Sequence, residues 1–156
     1  MRTVALVMVV AAAALSACGQ PADKPAGETA APAEKTPEQL KAMVATLPAP
    51  YNTGDVEHGK SVFGMCRSCH SIAKGGPNMT GPDNYAVVGR KAGTHKGYAY
   101  SEALKTSGIV WDAPTLDKWI ENPRQLVPGT KMSFAGIKDP KDRADLIAFL
   151  CTQADS

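Results

Sequence analysis

Cys66-Arg67-Ser68-Cys69-His70 is the stretch whose residue types and spacing can do chemistry. Two thiols separated by two residues and followed at once by an imidazole form the attachment signature of a c-type haem. Each sulfur can add to one haem vinyl group, giving two thioether bonds, and the adjoining His70 is then placed to ligate the iron. Two other chemistries use paired cysteines. A zinc site needs a second pair of ligands, and the remaining cysteines, Cys18 and Cys151, stand alone. A thioredoxin-like pair needs a preceding strand in a βαβ setting, and no such pattern surrounds residues 66–69. The motif therefore points to one covalent haem c held by Cys66 and Cys69, with His70 as a metal ligand.

The N-terminus bears on the compartment. Arg2 precedes an apolar run from Val4 to Leu15. The run is short for a membrane span and is followed by small residues, so residues 1–17 read as an export signal. Leu15-Ser16-Ala17-Cys18 resembles the lipobox of bacterial lipoproteins. The resemblance implies a diacylated Cys18, which would anchor the protein on the periplasmic side of a bacterial membrane. The alternative is cleavage after Ala17 and a soluble periplasmic protein with a free Cys18.

The elements that must position the motif follow from caps and periodicity. Residues 19–36 are rich in Ala, Pro, Gly and Glu and offer no core, so residues 18–53 read as a tether. It carries one short helix at 37–47, opened by Thr36-Pro37-Glu38-Gln39 with Leu40, Met43, Val44 and Leu47 at helical spacing. The expected reading of that helix is packing on the domain, which spans residues 54–156. There Asp55 can cap a helix leading into the motif, Ser101 a second, Asp112 a third that Pro123 stops, and Asp139 a last one with Leu146, Ile147, Phe149 and Leu150 on its apolar face. His70 to Tyr100 reads as loop, unusually long unless something such as a haem organises it. The fold class is all-α: a few short helices and long loops wrapped round one haem.

Residues 54–150 resemble the class I cytochromes c, the mitochondrial type and close bacterial relatives. The resemblance is carried by Gly54-Asp55-Val56-Glu57, Gly59-Lys60, the haem motif, Thr80-Gly81-Pro82, Gly89-Arg90-Lys91, Gly97-Tyr98, Gly108-Ile109-Val110-Trp111, Glu121-Asn122-Pro123, Pro128-Gly129-Thr130-Lys131-Met132 and Arg143 to Leu150. It implies a cytochrome c fold whose first and last helices cross beside the haem. It also implies Met132 as the second axial ligand; the soft thioether favours ferrous iron. Met65, Met79, His58 and His95 compete less well. Met65 lies on the wrong side of the attachment, Met79 in the loop after His70, and the histidines read as solvated surface groups.

Further roles are implied by position. The Pro82 carbonyl would accept from the proximal imidazole. Arg90, Tyr100 and Trp111 would contact or screen the inner haem propionate. Thr130 would lie near the other propionate and Phe134 at the exposed haem edge. Three departures stand out. Trp119 occupies a position where the family often has a tyrosine, and its indole can donate but not accept. Leu104 replaces a polar residue, which makes its pocket drier. The formal net charge is only +2, so Arg124, Lys131 and Lys138 retain part of a basic docking face that is otherwise diluted.

The resemblance implies a non-enzymatic carrier, a monomer that shuttles single electrons between the reductase and oxidase complexes of a membrane respiratory chain. No nucleic-acid surface is indicated. The alternatives are a haem sensor or peroxidase with an opening sixth site, and a fixed subunit of an oxidase or dehydrogenase complex. Cys151, near the end of the last helix, reads as a partly covered free thiol.

Overall fold

A computed structural model describes residues 34–155 of the chain. The expected export signal and Cys18 lie outside the described residues. Among the described residues six helices follow one another: α1 (Pro37–Ala45), α2 (Val56–Val62), α3 (Glu102–Lys105), α4 (Ala113–Glu121), α5 (Pro123–Leu126) and α6 (Pro140–Thr152). Short 3-10 turns cover Tyr51–Thr53 and Phe63–Met65. Among the described residues there is no strand, only an isolated bridge between Lys91 and Val110.

The helix starts follow local chemistry. Thr36 and Gln39 close a reciprocal capping box on α1, and Asp55, Ser101, Asp112 and Asp139 each accept from a backbone N–H of the helix they precede. Asn122 does two jobs. Its extended backbone, φ −159° before Pro123, ends α4, and its side chain accepts from Gln125 N–H to start α5, a turn the sequence reading lacks.

The frame is the crossing of α2 on α6. Gly59 makes it possible: a Cβ there would lie 2.0 Å from the Asp145 carbonyl oxygen and 2.9 Å from Phe149 Cβ. Asp145, buried in α6, ties the crossing. It accepts from Asp55 N–H at 2.9 Å and from Lys141 Nζ, and its Oδ2 lies 2.7 Å from His58 Nδ1. Burial alone would raise the Asp145 carboxyl; these hydrogen bonds outweigh it and hold the group below the ordinary carboxylate value. Phe63 and Phe149 meet with ring centroids 5.5 Å apart under the same crossing. Arg143, also buried, pairs with Asp117 of α4 and donates to the Ile137 and Lys138 carbonyls, fixing α4 and the loop before α6.

One placement differs from the sequence reading. Residues 37–47 stand there within a tether that ends at residue 53; here the compact unit begins at Glu34. The helix ends at Ala45, and Val44 and Leu47 are buried in the domain. Cys151 on α6 donates its S–H to the Met43 carbonyl at 3.5 Å, so its thiol is partly covered by α1. The hydrophobic repeat of this segment is spent on the domain, which is why it docks. His58 is exposed, as its sequence reading expects, and it also pairs with Asp145.

Candidate haem site

The helices and the loops between them enclose a cavity of about 280 Å³. Phe63, Leu116, Ile120, Leu146 and Leu150 give it apolar walls. The haem motif occupies one edge. The Cys66 N–H donates to Phe63 O at 2.8 Å, and the Cys69 and His70 N–H groups both donate to Cys66 O, at 3.0 and 2.9 Å. This tight turn hangs on a phenylalanine that is only 1% exposed. It brings both sulfurs and the imidazole to the same cavity.

His70 is held on two sides. Its Nδ1–H donates to the Pro82 carbonyl at 2.7 Å, which leaves Nε2 as the atom with a free lone pair. Gly81 presses on the ring: a Cβ there would fall 2.2 Å from Cε1 and 2.6 Å from Nε2. Burial pushes the His70 pKa down, opposed by the Pro82 hydrogen bond and by Asp83. A neutral imidazole is the form that ligates a metal. Burial, helped by the neighbouring Cys69, pushes the Cys66 thiol up to about 11. That is the reverse of an activated redox thiolate, so a thioredoxin-like role is not what this site is built for.

Met132 reaches the cavity from the loop between α5 and α6. Thr130 N–H donates to Val127 O at 3.1 Å, and the Thr130 hydroxyl accepts from Met132 N–H at 3.2 Å, so the loop is braced at Met132. Trp111 and Trp119 stand together with centroids 5.2 Å apart. Arg90 is fixed by three bonds: Nη2 to Asp83 O at 2.9 Å, and Nη1 to Tyr85 O at 3.3 Å and to His95 Nδ1 at 2.9 Å. His95, read from sequence as a solvated histidine, thus supports a cavity residue. Cys66, Cys69, His70, Pro82, Arg90, Tyr100, Trp111, Trp119, Thr130, Met132 and Phe134 all line this one cavity. Leu104, 8% exposed, lines it as well.

Met79 is 46% exposed and is not part of the cavity wall; Met65 is 52% exposed at its rim. Among the described residues no group of three or more His, Cys, Asp or Glu side chains could hold a metal ion. Imidazole nitrogen and thioether sulfur facing an apolar cavity, with two thiols at its edge, is a donor set that suits haem iron. Of the expected docking residues, Arg124, Lys131 and Lys138 are all exposed. Only Lys131 lines the cavity mouth, with Nζ on the Ala99 carbonyl at 3.0 Å. Lys138 donates to Glu121 O at 2.7 Å, over the end of α4.

The family model for cytochrome c matches residues 56–154. The chain belongs to the cytochrome c family. Cytochrome c2 of Rhodomicrobium vannielii is 52% identical over 103 residues, spanning 66% of this chain and 82% of that one. Cytochrome c of Euglena viridis is 53% identical over 103 residues, spanning 65% of this chain and all of that one. Among solved structures, cytochrome cH from Methylobacterium extorquens superposes with a TM-score of 0.60 at 48% identity, covering 64% of this chain and 99% of that one. This is thus a class I c-type cytochrome of the cytochrome c fold, with one covalently attached haem c, and it carries single electrons. Helix α1 of this cytochrome lies outside the matched span. No helix among the described residues is long and apolar enough to cross a membrane.

Sequence reasoning missed four residues that hold the site: Asp83, His95, Arg143 and Asp145. Asp145 left a signal, a lone acid inside the apolar run from Ala144 to Leu150. The other three left none: Arg143 pairs with Asp117, 26 residues away, and Asp83 and His95 meet Arg90 only through the path of an irregular loop.

Proposed function

We propose that this cytochrome is a monomeric carrier held by its lipidated Cys18 on the periplasmic side of a bacterial membrane, moving electrons between membrane reductase and oxidase complexes. In this reading Cys66 and Cys69 form the thioethers, and His70 and Met132 are the axial ligands. The carrying observation is that all four line one cavity, with the His70 Nδ1–H already committed to Pro82. When bound, the haem supplies a one-electron ferrous/ferric couple.

The chain's own residues tune and protect that couple. Pro82 orients His70 and raises its basicity. The Met132 thioether favours the ferrous state, and the Thr130 hydroxyl keeps its loop in place. Arg90, with Tyr100 and Trp111, offers a fixed cation and polar hydrogens to a haem carboxylate. The apolar walls exclude water, and Phe134 and Lys131 stand at the mouth, where a redox partner would dock with help from Arg124 and Lys138. Both ligands are braced by independent hydrogen bonds, which suits electron transfer without ligand exchange.

The test of the ligand set is the weak red-edge charge-transfer band of the ferric protein, which reports a methionine–iron bond. Its presence in the wild type and loss in Met132→Ala supports the carrier. Its absence from the wild type would return the sixth position to an open site, as in a sensor or peroxidase. Cell fractionation tests the anchor: Cys18→Ala should move the protein from membranes to the soluble periplasmic fraction. Electron transfer from the soluble domain to an isolated partner should fall with added salt and with Lys131→Glu, since a basic patch steers acidic partners only until it is screened.

A further inference from the structure

We propose that His95 is a redox-linked proton site: the protein takes up part of a proton there on reduction and releases it on oxidation. The observation is the bond from Arg90 Nη1–H to His95 Nδ1, 2.9 Å long. A guanidinium can only donate, so His95 Nδ1 must be the unprotonated, accepting nitrogen. A proton on that atom removes the acceptor and sets a second cation against Arg90. His95 does not line the cavity; it acts through Arg90, which does. It is a positioning residue, and the inference rests on Arg90 facing the bound haem.

Lys91 and Lys96 of the His95 loop are exposed cations. From the preceding loop come Arg90 itself and Asp83, whose carbonyl holds Nη2 and whose carboxylate acts on the guanidinium. The Tyr100 phenol lies against the His95 backbone, and burial raises its pKa, so it keeps its proton. Imidazole is the side chain that ordinarily gains charge between about pH 5 and 8. One electron from the donor protein lowers the positive charge of the cavity by one. That favours one proton from water on His95 Nδ1, and reoxidation by the acceptor protein returns both. Linkage is reciprocal, so protonating His95 must favour the reduced state by the same factor.

The experiment uses holoprotein in both oxidation states. The wild-type midpoint potential should fall with rising pH through the imidazole range. His95→Gln, which keeps an acceptor for Arg90 but does not titrate there, should be flat in that window with an unchanged ligand spectrum. By proton NMR on the wild type, the His95 resonance should titrate with about fivefold higher proton affinity in the ferrous state, the low end of coupling between sites. The chain has three histidines, so His95 is assigned by its loss in the variant. A pH step that persists in His95→Gln, or equal His95 midpoints in the two states, would overturn the assignment. If Arg90→Gln still shifts the potential in that case, the reading of Arg90 survives and only the role of His95 fails.

Discussion

Replacing Gly81 by alanine should disturb the haem through one contact. The Gly81 backbone conformation is open to any residue, so no backbone strain enters. The new Cβ would stand 2.2 Å from His70 Cε1, where real Cβ contacts essentially never fall below 3.0 Å, so the ring must yield by at least 0.8 Å (3.0 − 2.2). The Pro82 carbonyl belongs to the next residue and is 2.7 Å from Nδ1. A shift of 0.8 Å directly away from Pro82 lengthens that bond to 3.5 Å (2.7 + 0.8), the edge of hydrogen bonding. Partners of this kind contribute about 10- to 100-fold to a metal ligand's performance, or about 1.4–2.8 kcal/mol. They raise imidazole basicity and so favour the ferric state. If a tenfold loss fell on the ferric state alone, the midpoint potential would rise by about 59 mV, which bounds the lower estimate. Spectroelectrochemistry measures the potential, and proton NMR of the ferrous protein follows the Nδ1–H. Gly64→Ala is the control, since nothing lies within 4 Å of its Cβ. A Gly81→Ala protein matching both wild type and Gly64→Ala in potential and in Nδ1–H exchange would refute the reasoning.

Met132→Ala should lower the potential and open the iron to carbon monoxide, measured by titration with the gas; an unchanged potential and spectrum would place the sixth ligand elsewhere. Gly59→Ala gains about 1 kcal/mol of helix propensity, yet its Cβ overlaps the α6 backbone by 1.0 Å (3.0 − 2.0). Overpacking at a crossing that cannot part costs more, so a net loss of about 2 kcal/mol is expected from guanidinium unfolding. Asp145 has a depressed folded pKa, so its contribution is full above the unfolded carboxylate value of about 3.9 and is lost as pH falls through the folded value. Asp145→Asn should therefore cost about 2 kcal/mol at pH 7 and leave a shallower decline of stability below about pH 4.

Local chemistry made much of this molecule legible. Thr36, Asp55, Ser101, Asp112 and Asp139 announce helix starts because a cap acts within three residues, and Pro123 stops α4 through its neighbour's backbone alone. The haem motif is legible for the same reason, being five consecutive residues. What escaped was long-range. His58 finds Asp145 across 87 positions, Arg143 finds Asp117 across 26, and the fit of Gly59 against α6 depends on a helix crossing that no local pattern specifies. The docking of α1 was foreseen as packing but not as part of the compact unit, since nothing in residues 37–47 names the surface that receives them. Arg90 was found only through resemblance, and its bond to His95, five residues away, follows from the turn of a loop whose path the sequence did not reveal.

The contact between Asp55 and Asp145 joins positions 90 residues apart, and it has a meaning in time. A chain emerging in order presents the cysteines and His70 about halfway, with one wall of their cavity still unmade. Leu146 and Leu150, which close that wall, arrive last. Contacts of such separation are slow to form because the intervening loop must first be brought together. The attachment motif is thus exposed throughout synthesis, and is sheltered only when the final helix returns. A chain cut short before residue 140 keeps every group needed to capture the haem, and lacks the helix that would shut the door behind it.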